Sequence, residues 1–286
     1  MANLKEIRNR ITSVSSTMQI TSAMKMVSAA KLKKAQDAIT AMRPYSDKLT
    51  ELLQGLSASL DADSGSKFAE QRVVNKVLIV GITSNRGLAG AFNSNIIKQV
   101  NLLVNSTYAN QEVSFLAIGK KANDAFKKSN KVIANKSTVY DDLTFDNVAE
   151  IAELLMDQFL RHKADKIVLV YNKFKNAATQ EIMSEQFLPI VPIQNDANVN
   201  LDYIFEPSKA EIVEQLIPKS LKTQLYKAIR DSFASEHGAR MTAMHKATDN
   251  ATELRDQLKL TYNKARQASI TNEILEIVGG AEALNN

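Results

Sequence analysis

Met241 to Gly280 reads MTAMHKATDNATELRDQLKLTYNKARQASITNEILEIVGG. Along it Met244, Ala247, Ala251, Leu254, Leu258, Thr261, Ala265, Ala268, Asn272 and Leu275 alternate three and four residues apart, the spacing that holds one stripe of a helix against a partner helix. Alanine is the commonest of them, and small seam residues let two backbones approach closely. From Pro218 to Gly279 the only internal glycine is Gly238, and no further proline occurs. The reading is a helix of about 60 residues, roughly 90 Å at 1.5 Å rise per residue.

The other end mirrors it. Ala2 to Arg43 contains neither glycine nor proline, and Leu4, Ile7, Ile11, Val14, Met18 and Thr21 keep the same alternation. The seam is then read as shifting through Met24 and Val27 to Ala35, Ala38 and Met42, a step that overwinds the pairing. Pro44 is expected to kink or end this helix. A second amphipathic stretch follows with Leu49, Leu52, Leu56 and Leu60, until Ser64 to Ser66 break it. Antiparallel pairing of the two terminal helices is the economical arrangement.

Between them the chain changes period. VVNKVLIVGI, EVSFLAIG and DKIVLVY are β-branched apolar runs that alternate with helical patterns near 93–107, 120–129 and 145–162. Such alternation implies a mostly parallel sheet covered by helices, a Rossmann-like α/β domain. EIMSEQFLPIVPI is a candidate further strand. The expected organisation is an N-terminal coiled-coil helix over 1–66, the α/β domain over 67–210 and a C-terminal coiled-coil helix over 211–286. A domain of about 150 residues is about 40 Å across, so much of a roughly 90 Å coil is expected to project from it.

The chain has 286 residues, 44% hydrophobic and 23% charged, enough apolar material for a sizeable core. The longest apolar run, Val77 to Ile82, is far short of the roughly 20 residues of a membrane span. The opening residues MANLKEIRNR lack the features of a secretory signal, so a cytoplasmic chain is expected. With no cysteine, thiol nucleophiles, thiolate metal sites and disulfides are excluded. The net charge of +5 is uneven: residues 1–43 hold eight Lys or Arg against two acids, or +6, leaving −1 for the rest. That basic stripe suits DNA, acidic lipid or an acidic protein surface.

Candidate chemistry is sparse. GITSNRGLAGAFN, Gly81 to Asn93, is a glycine-bearing loop between strand and helix, where N–H groups can cradle a phosphate. Its spacing matches neither a dinucleotide fingerprint nor a P-loop, and a tight turn with ordinary helix capping is the alternative. His162, His237 and His245 are scattered and are expected at the surface; Asp141 and Asp142 are expected to cap or precede the helix after Thr144. No GxSxG or SxxK motif occurs. Lys25, Lys31, Lys33 and Lys34 could contact phosphates, but no aromatic residue precedes Tyr45 to stack on a base. The competing class is an α/β nucleotide-binding enzyme with a coiled-coil oligomerisation extension.

The methionines are more informative, six of them lying on the terminal helices. Met24 and Met26, two apart, cannot share one narrow seam, so one of them faces something else. Ile270, Ile274, Leu275, Ile277, Val278, Ala281 and Leu284 spread apolar character around most of the last turns. Such a helix is normally enclosed, so a surrounding protein partner is expected.

The stretches LKEIRNRITSVSSTMQITSAMKMVSAAKLKKAQ and YNKARQASITNEILEIVGGAEA resemble the two ends of the gamma subunits of F-type ATP synthases. Ile270, Thr271, Glu273, Glu276, Gly280 and Ala281 fit that family's C-terminal pattern, and SNRGLAGAFN is similar to its central segment. The resemblance implies a non-catalytic rotor shaft inside a hexamer of alpha and beta subunits, coupling proton-driven rotation to ATP synthesis or hydrolysis on beta. It further implies the epsilon subunit and the membrane c-ring as partners, no cofactor, no direct membrane insertion and no nucleic acid. The implied location is the cytoplasmic face of the bacterial inner membrane, as a peripheral subunit. By motif position, Arg266, Gln267 and Arg240 are similar to residues that meet acidic loops of beta, and Met24 to a coupling contact beside Lys25; Thr271 and Glu273 join this set. Ala89 and Asn85 depart from the Cys and Asp of many relatives, so no thiol or acid role for that loop carries over.

Overall fold

The computed structural model describes residues 4–57, 67–128, 131–190 and 209–284. Its elements are α1 (Leu4–Ser57), β1 (Lys76–Ile82), α2 (Phe92–Leu102), β2 (Glu112–Ile118), α3 (Lys120–Phe126), β3 (Lys131–Asn135), α4 (Phe145–Leu160), β4 (Lys166–Phe174), β5 (Gln180–Leu188) and α5 (Lys209–Leu284). A π-helical turn, Leu103–Thr107, prolongs α2. The chain forms two compact units, divided inside both long helices: Ala29–Arg240, and Met1–Ser28 with Met241–Asn286.

In the first unit, β1, β2, β3 and β4 pair in parallel and β5 returns antiparallel, giving the order β3-β2-β1-β4-β5. Successive strand residues point to opposite faces, so each continuous apolar run feeds two cores. Leu78, Val80, Leu116, Ile118, Ile167 and Leu169 meet Ile151, Leu155 and Phe159 of α4 and Leu221, Leu225 and Ile229 of α5. On the opposite face Val77, Ile79, Phe115, Ala117, Val168 and Val170 meet Ile96 and Val100 of α2 and Ala122 and Phe126 of α3. Each such side chain contributes on the order of 1.5–3 kcal/mol on leaving water.

The mostly parallel sheet matches the sequence expectation, and the candidate fourth run supplies the antiparallel β5. β3 has no counterpart in that reading. It is a five-residue edge strand whose register on β2 slips at Ile133, and so short and irregular a segment carries little period-2 signal.

Two glycines are required by close approach. Gly119, between β2 and α3, has φ +109°, and a Cβ there would lie 2.2 Å from the carbonyl oxygen of Thr83. Gly238, inside α5, lets the backbone of Ala177 in the β4–β5 turn come within 3.0 Å of where a Cβ would stand.

Pro44 does not end the first helix, and the last helix begins at Lys209, before Pro218. A proline inside a helix removes one hydrogen bond, a loss of about 3 kcal/mol that burial of its neighbours can offset. Ser46 and Leu49 are buried beyond Pro44, and Ile217 and Leu221 flank Pro218 in the core. The two prolines are near one another, since the Lys219 ammonium sits 6.0 Å from the Tyr45 ring centroid. The expected break at Ser64–Ser66 and the segment leading from Ile190 towards α5 lie outside the described residues.

The second unit is the antiparallel coil. Three contacts set its register: the Arg8 guanidinium donates to Tyr262 Oη at 2.8 Å, Arg255 to Met18 Sδ at 3.4 Å, and Thr248 to Thr21 Oγ1 at 2.8 Å. The least exposed positions of α1 here are 7, 11, 14, 18, 21, 25 and 28. The expected seam shift is therefore absent: Val27 is 58% exposed and Ser28 2%. Ser28 substitutes for an apolar residue by donating its hydroxyl to Met24 O at 2.8 Å. Leu32, Ala35 and Ile39 continue the same four-and-three alternation along α1.

On α5 the shielded line runs through 244, 248, 251, 255, 258, 262, 265 and 269. The expected Leu254, Thr261 and Ala268 are displaced by their neighbours Arg255, Tyr262 and Ser269. Leu254 is 47% exposed because Arg255 and Tyr262 lay their long stems in the seam and spend their polar ends on Met18 and Arg8.

Gly119→Ala should lower stability by on the order of 3–4 kcal/mol, while Gly87→Ala, with nothing near a new Cβ, stays within about 0.5 kcal/mol; urea denaturation measures both. If the seam passes through 258 and not 254, Leu258→Gln costs about 1–2 kcal/mol and Leu254→Gln almost nothing; equal losses would contradict this phase.

Candidate functional site

Within α5, residues 231 to 238 are all buried except the half-buried Phe233, although the sequence there, DSFASEHG, is largely polar. Each polar group on this stretch needs a partner in the sheet unit. Ser235 donates to Asn172 O on β4 at 3.0 Å, and the Asn172 amide donates to Phe92 O at the start of α2 at 3.2 Å. A single asparagine thus joins helices on both faces of the sheet. Nearby, Gln224 donates to Glu185 at 2.6 Å, and Tyr171 Oη donates to the other oxygen of Glu185 at 2.8 Å. Burial first, and Glu185 second, push the Tyr171 phenol upward, so it stays a donor.

The most constrained group is Arg240, 7% exposed. Its Nη1 pairs with the Glu236 carboxylate one turn earlier, and its Nη2 donates to the carbonyls of Arg86 and Gly87, both at 3.2 Å. These acceptors belong to the glycine-bearing loop after β1. The remaining loop groups are also satisfied within the chain. Ser84 N donates to Asn93 Oδ1 at 2.9 Å, Lys120 N to Asn85 Oδ1 at 3.0 Å, and the Asn85 amide to Ser137 O at 3.0 Å. The backbone is strained where it crosses to α2: Leu88 has φ +63°, at about 1–2 kcal/mol for a non-glycine residue. Ala91, the residue before α2, offers no side-chain cap; Asn93 reaches back to Ser84 instead. Thr144 does cap α4, and the carbonyl of Asp142 accepts from the Asn147 amide of that helix.

Two acids and one histidine feel this enclosure. Burial pushes Asp231 up to about 6 against the opposing pull of Arg43, Lys227 and Lys173. Burial also raises Glu236, with Arg240 opposing. His237 corrects the expectation that all three histidines are superficial. His162 and His245 are exposed, but His237 is 5% exposed, packs edge-on to Phe233 at 4.5 Å, and neither ring nitrogen has a hydrogen-bond partner. Burial, and then the nearby Arg240 and Lys31 charges, depress it to about 4. Helical periodicity could not reveal this, because the burial comes from the sheet unit closing around α5. The one sequence signal for the clamp was the Glu236–Arg240 spacing of four.

The partner-facing residues expected from sequence fall into separate places. Arg240 is enclosed in the sheet unit. In the coil unit Lys25 is half-buried on the seam line and Met24 half-buried beside it, and Met26, 66% exposed, is the methionine that faces outward. Arg266, Gln267, Thr271 and Glu273 stand exposed together on two turns of α5, where Thr271 donates to Gln267 O at 3.0 Å and Ser269 to Glu273 at 3.4 Å. Beyond them Ile270, Ile274, Leu275, Ile277 and Val278 are all exposed. No group of three or more His, Asp or Glu among the described residues is placed to hold a metal ion.

A family model described as ATP synthase matches residues 3–284. The chain is 73% identical to the ATP synthase gamma chain of Flavobacterium psychrophilum, covering 99% of both chains, and 53% identical to that of Cytophaga hutchinsonii over the full length of both. It belongs to the ATP synthase gamma chain family. A gamma chain of this family therefore combines the antiparallel coil, the five-stranded sheet and the Arg240 clamp. The same fold occurs in rotor and F1/c-ring structures of the Euglena gracilis mitochondrial ATP synthase, with TM-scores of 0.65 and 0.67 at 23% and 21% identity, over 93% and 98% of this chain. No described helix is long and apolar enough to cross a membrane.

The opposite shifts of Asp231 and His237 give pH dependences of opposite sign. Asp231, raised in the fold, contributes stability that is full below its unfolded value near 3.8 and lost as pH rises through about 6. Asp231→Asn should therefore stabilise the chain at pH 8, by on the order of 2 kcal/mol, with the gain shrinking towards pH 4. His237, depressed in the fold, contributes stability that is present above its unfolded value near 6.5 and lost as pH falls through about 4. His237→Phe should flatten the decline between pH 6.5 and 4; thermal melts across pH 4–8 measure both.

Proposed function

We propose that this chain is the central shaft of a rotary ATP synthase, turning within a hexamer of alpha and beta subunits and coupling proton-driven rotation to ATP synthesis or hydrolysis on beta. The observation that carries this reading is the end of α5. Ile270, Ile274, Leu275, Ile277 and Val278 share one broad face, roughly 160° of the helix at 3.6 residues per turn, and are 48–72% exposed. Left in water, such a surface aggregates, and a sleeve of surrounding protein removes it. Just before it, Arg266, Gln267, Thr271 and Glu273 offer a charged and hydrogen-bonding collar suited to loops of that sleeve.

The coil has the properties a shaft needs. Its seam is unbroken, and its outward faces differ: Ile20, Met26 and Val27 leave exposed apolar side chains on α1, followed by the exposed Lys33–Lys34 pair. A rod with unlike faces presents a different surface to each surrounding beta subunit as it turns. On this reading gamma performs no bond chemistry, and binds no nucleotide at the loop after β1, whose polar groups are occupied by Arg240, Asn93 and Asn85. The epsilon subunit and the membrane c-ring complete its surroundings, on the cytoplasmic face of the bacterial inner membrane.

Mixing the purified chain with alpha and beta should yield a complex whose ATP hydrolysis exceeds that of alpha and beta alone; failure to assemble would sink the proposal. In that complex joined to epsilon and to the proton-conducting membrane sector with its c-ring, Met24→Lys should lower proton pumping per ATP hydrolysed, because a new charge beside the seam pairs with beta in the wrong orientations. An unchanged ratio would remove Met24 from the coupling contact.

A further inference from the structure

Leu88 is a large apolar side chain, 66% exposed, on a backbone held at φ +63°. Both features are unfavourable in an isolated chain, and strain of this kind persists only where the surroundings over-determine it. The surroundings here do. Between Ser84 and Gly90 the loop is tied to α2 through Asn93, to the N–H of Lys120 and the carbonyl of Ser137 through Asn85, and to α5 through Arg240. Arg240 is the tie that joins α5 to the middle of the loop, immediately before Leu88. Its Nη2 donates to the two consecutive carbonyls of Arg86 and Gly87 while Nη1 holds Glu236. The Arg86 carbonyl accepts in addition from Ser84 Oγ at 2.6 Å within the loop. Glu236 orients the guanidinium from one helical turn away, and Gly238 keeps this part of α5 close against the β4–β5 turn, so the clamp stands on fixed supports.

We propose that Arg240 is a positioning residue: through Glu236 and the carbonyls of Arg86 and Gly87 it locks the 84–90 loop onto α5, so that the exposed Arg86 and Leu88 side chains are presented in one orientation to the subunits that surround the shaft. The inference rests on the rotor reading for the identity of the partner, but not for the clamp itself. It gives Arg240 a different role from the one its motif position suggests. The guanidinium acts on the partner through the loop, with its own polar atoms spent inside the chain. A rigid loop carrying one cationic and one apolar side chain suits an acidic segment with an apolar residue beside the acid.

Two measurements separate the clamp from its use. In the full-length isolated chain, Arg240→Gln should raise amide hydrogen exchange at residues 86–90 at least tenfold while β1 and β2 remain protected. Arg240→Lys, which keeps the charge but loses the fork, should fall between. Because Arg240→Gln alone leaves the Glu236 carboxylate buried without its partner, the Glu236→Gln, Arg240→Gln double variant provides the same readout if the single variant fails to fold. Unchanged exchange in whichever variant folds overturns the clamp. In the complex of this chain with alpha, beta and epsilon, assembled on the proton-conducting membrane sector that contains the c-ring, Leu88→Ala and Arg240→Gln are combined and ATP-driven proton pumping is followed. A route through the loop predicts a double variant no worse than the poorer single one. Losses that multiply would place Arg240 directly against the partner and overturn the proposal. If wild-type chain forms no complex, the rotor reading fails while the exchange result on the clamp stands.

Discussion

The pairing of α1 with α5 along one unbroken seam is the constraint on which the rest depends. A heptad seam accommodates a local change of phase only by over- or underwinding the pair, because a shift of one residue turns a helix by about 100° and exposes what was buried. This chain keeps phase by accepting poor hydrophobes at seam positions. Thr21, Ser28 and Thr248 occupy it and return their hydroxyls to backbone carbonyls or to one another. The consequence is thermodynamic. Among the described residues of the coil unit, only Ile7 and Met244 are fully buried apolar side chains, whereas the sheet unit holds two well-filled cores. The coil therefore draws less on apolar burial than the sheet unit does.

The sheet unit treats the same helix differently. Along residues 217 to 240, α5 serves as one wall of a core, and its polar side chains become internal fastenings. Ser235 holds it to β4, Arg230 donates to the carbonyl of Leu143 ahead of α4, and Arg240 holds the loop after β1. A purely apolar wall could slide or rotate by a fraction of a turn at little cost. Directional bonds to three separate segments cannot be satisfied in any neighbouring orientation, so the helix is fixed in rotation as well as in position. One oxygen of Asp231 and both ring nitrogens of His237 are buried without a hydrogen-bond partner, so this polar interior is not optimised for stability.

Much of this was legible from residues alone, and the departures share a cause. The two long helices, the parallel order of β1, β2 and β4 and the apolar tip all follow from periodicity and run length, which are local properties. Leu254 and Val27 are more apolar than Arg255 and Ser28 beside them, yet they are the exposed members of each pair. Arg255 and Tyr262 won those places on α5 by having stems long enough to be covered and polar ends able to reach Met18 and Arg8, which depends on the partner helix. β3 was missed because its pairing partner, not its own composition, makes it a strand.

The sequence by itself determined the family, the heptad alternation of both terminal helices and the two-faced apolar strands, because each is encoded within a few turns of chain or a single run. Only the tertiary structure decided which residue of each seam pair is buried. It alone showed that Pro44 and Pro218 lie within continuous helices, and that His237 and Asp231 are enclosed. It also showed Arg240 donating to the carbonyls of a loop some 150 residues earlier. Burial and hydrogen bonding are settled by what arrives from elsewhere in the chain, and no periodicity within one helix carries that information.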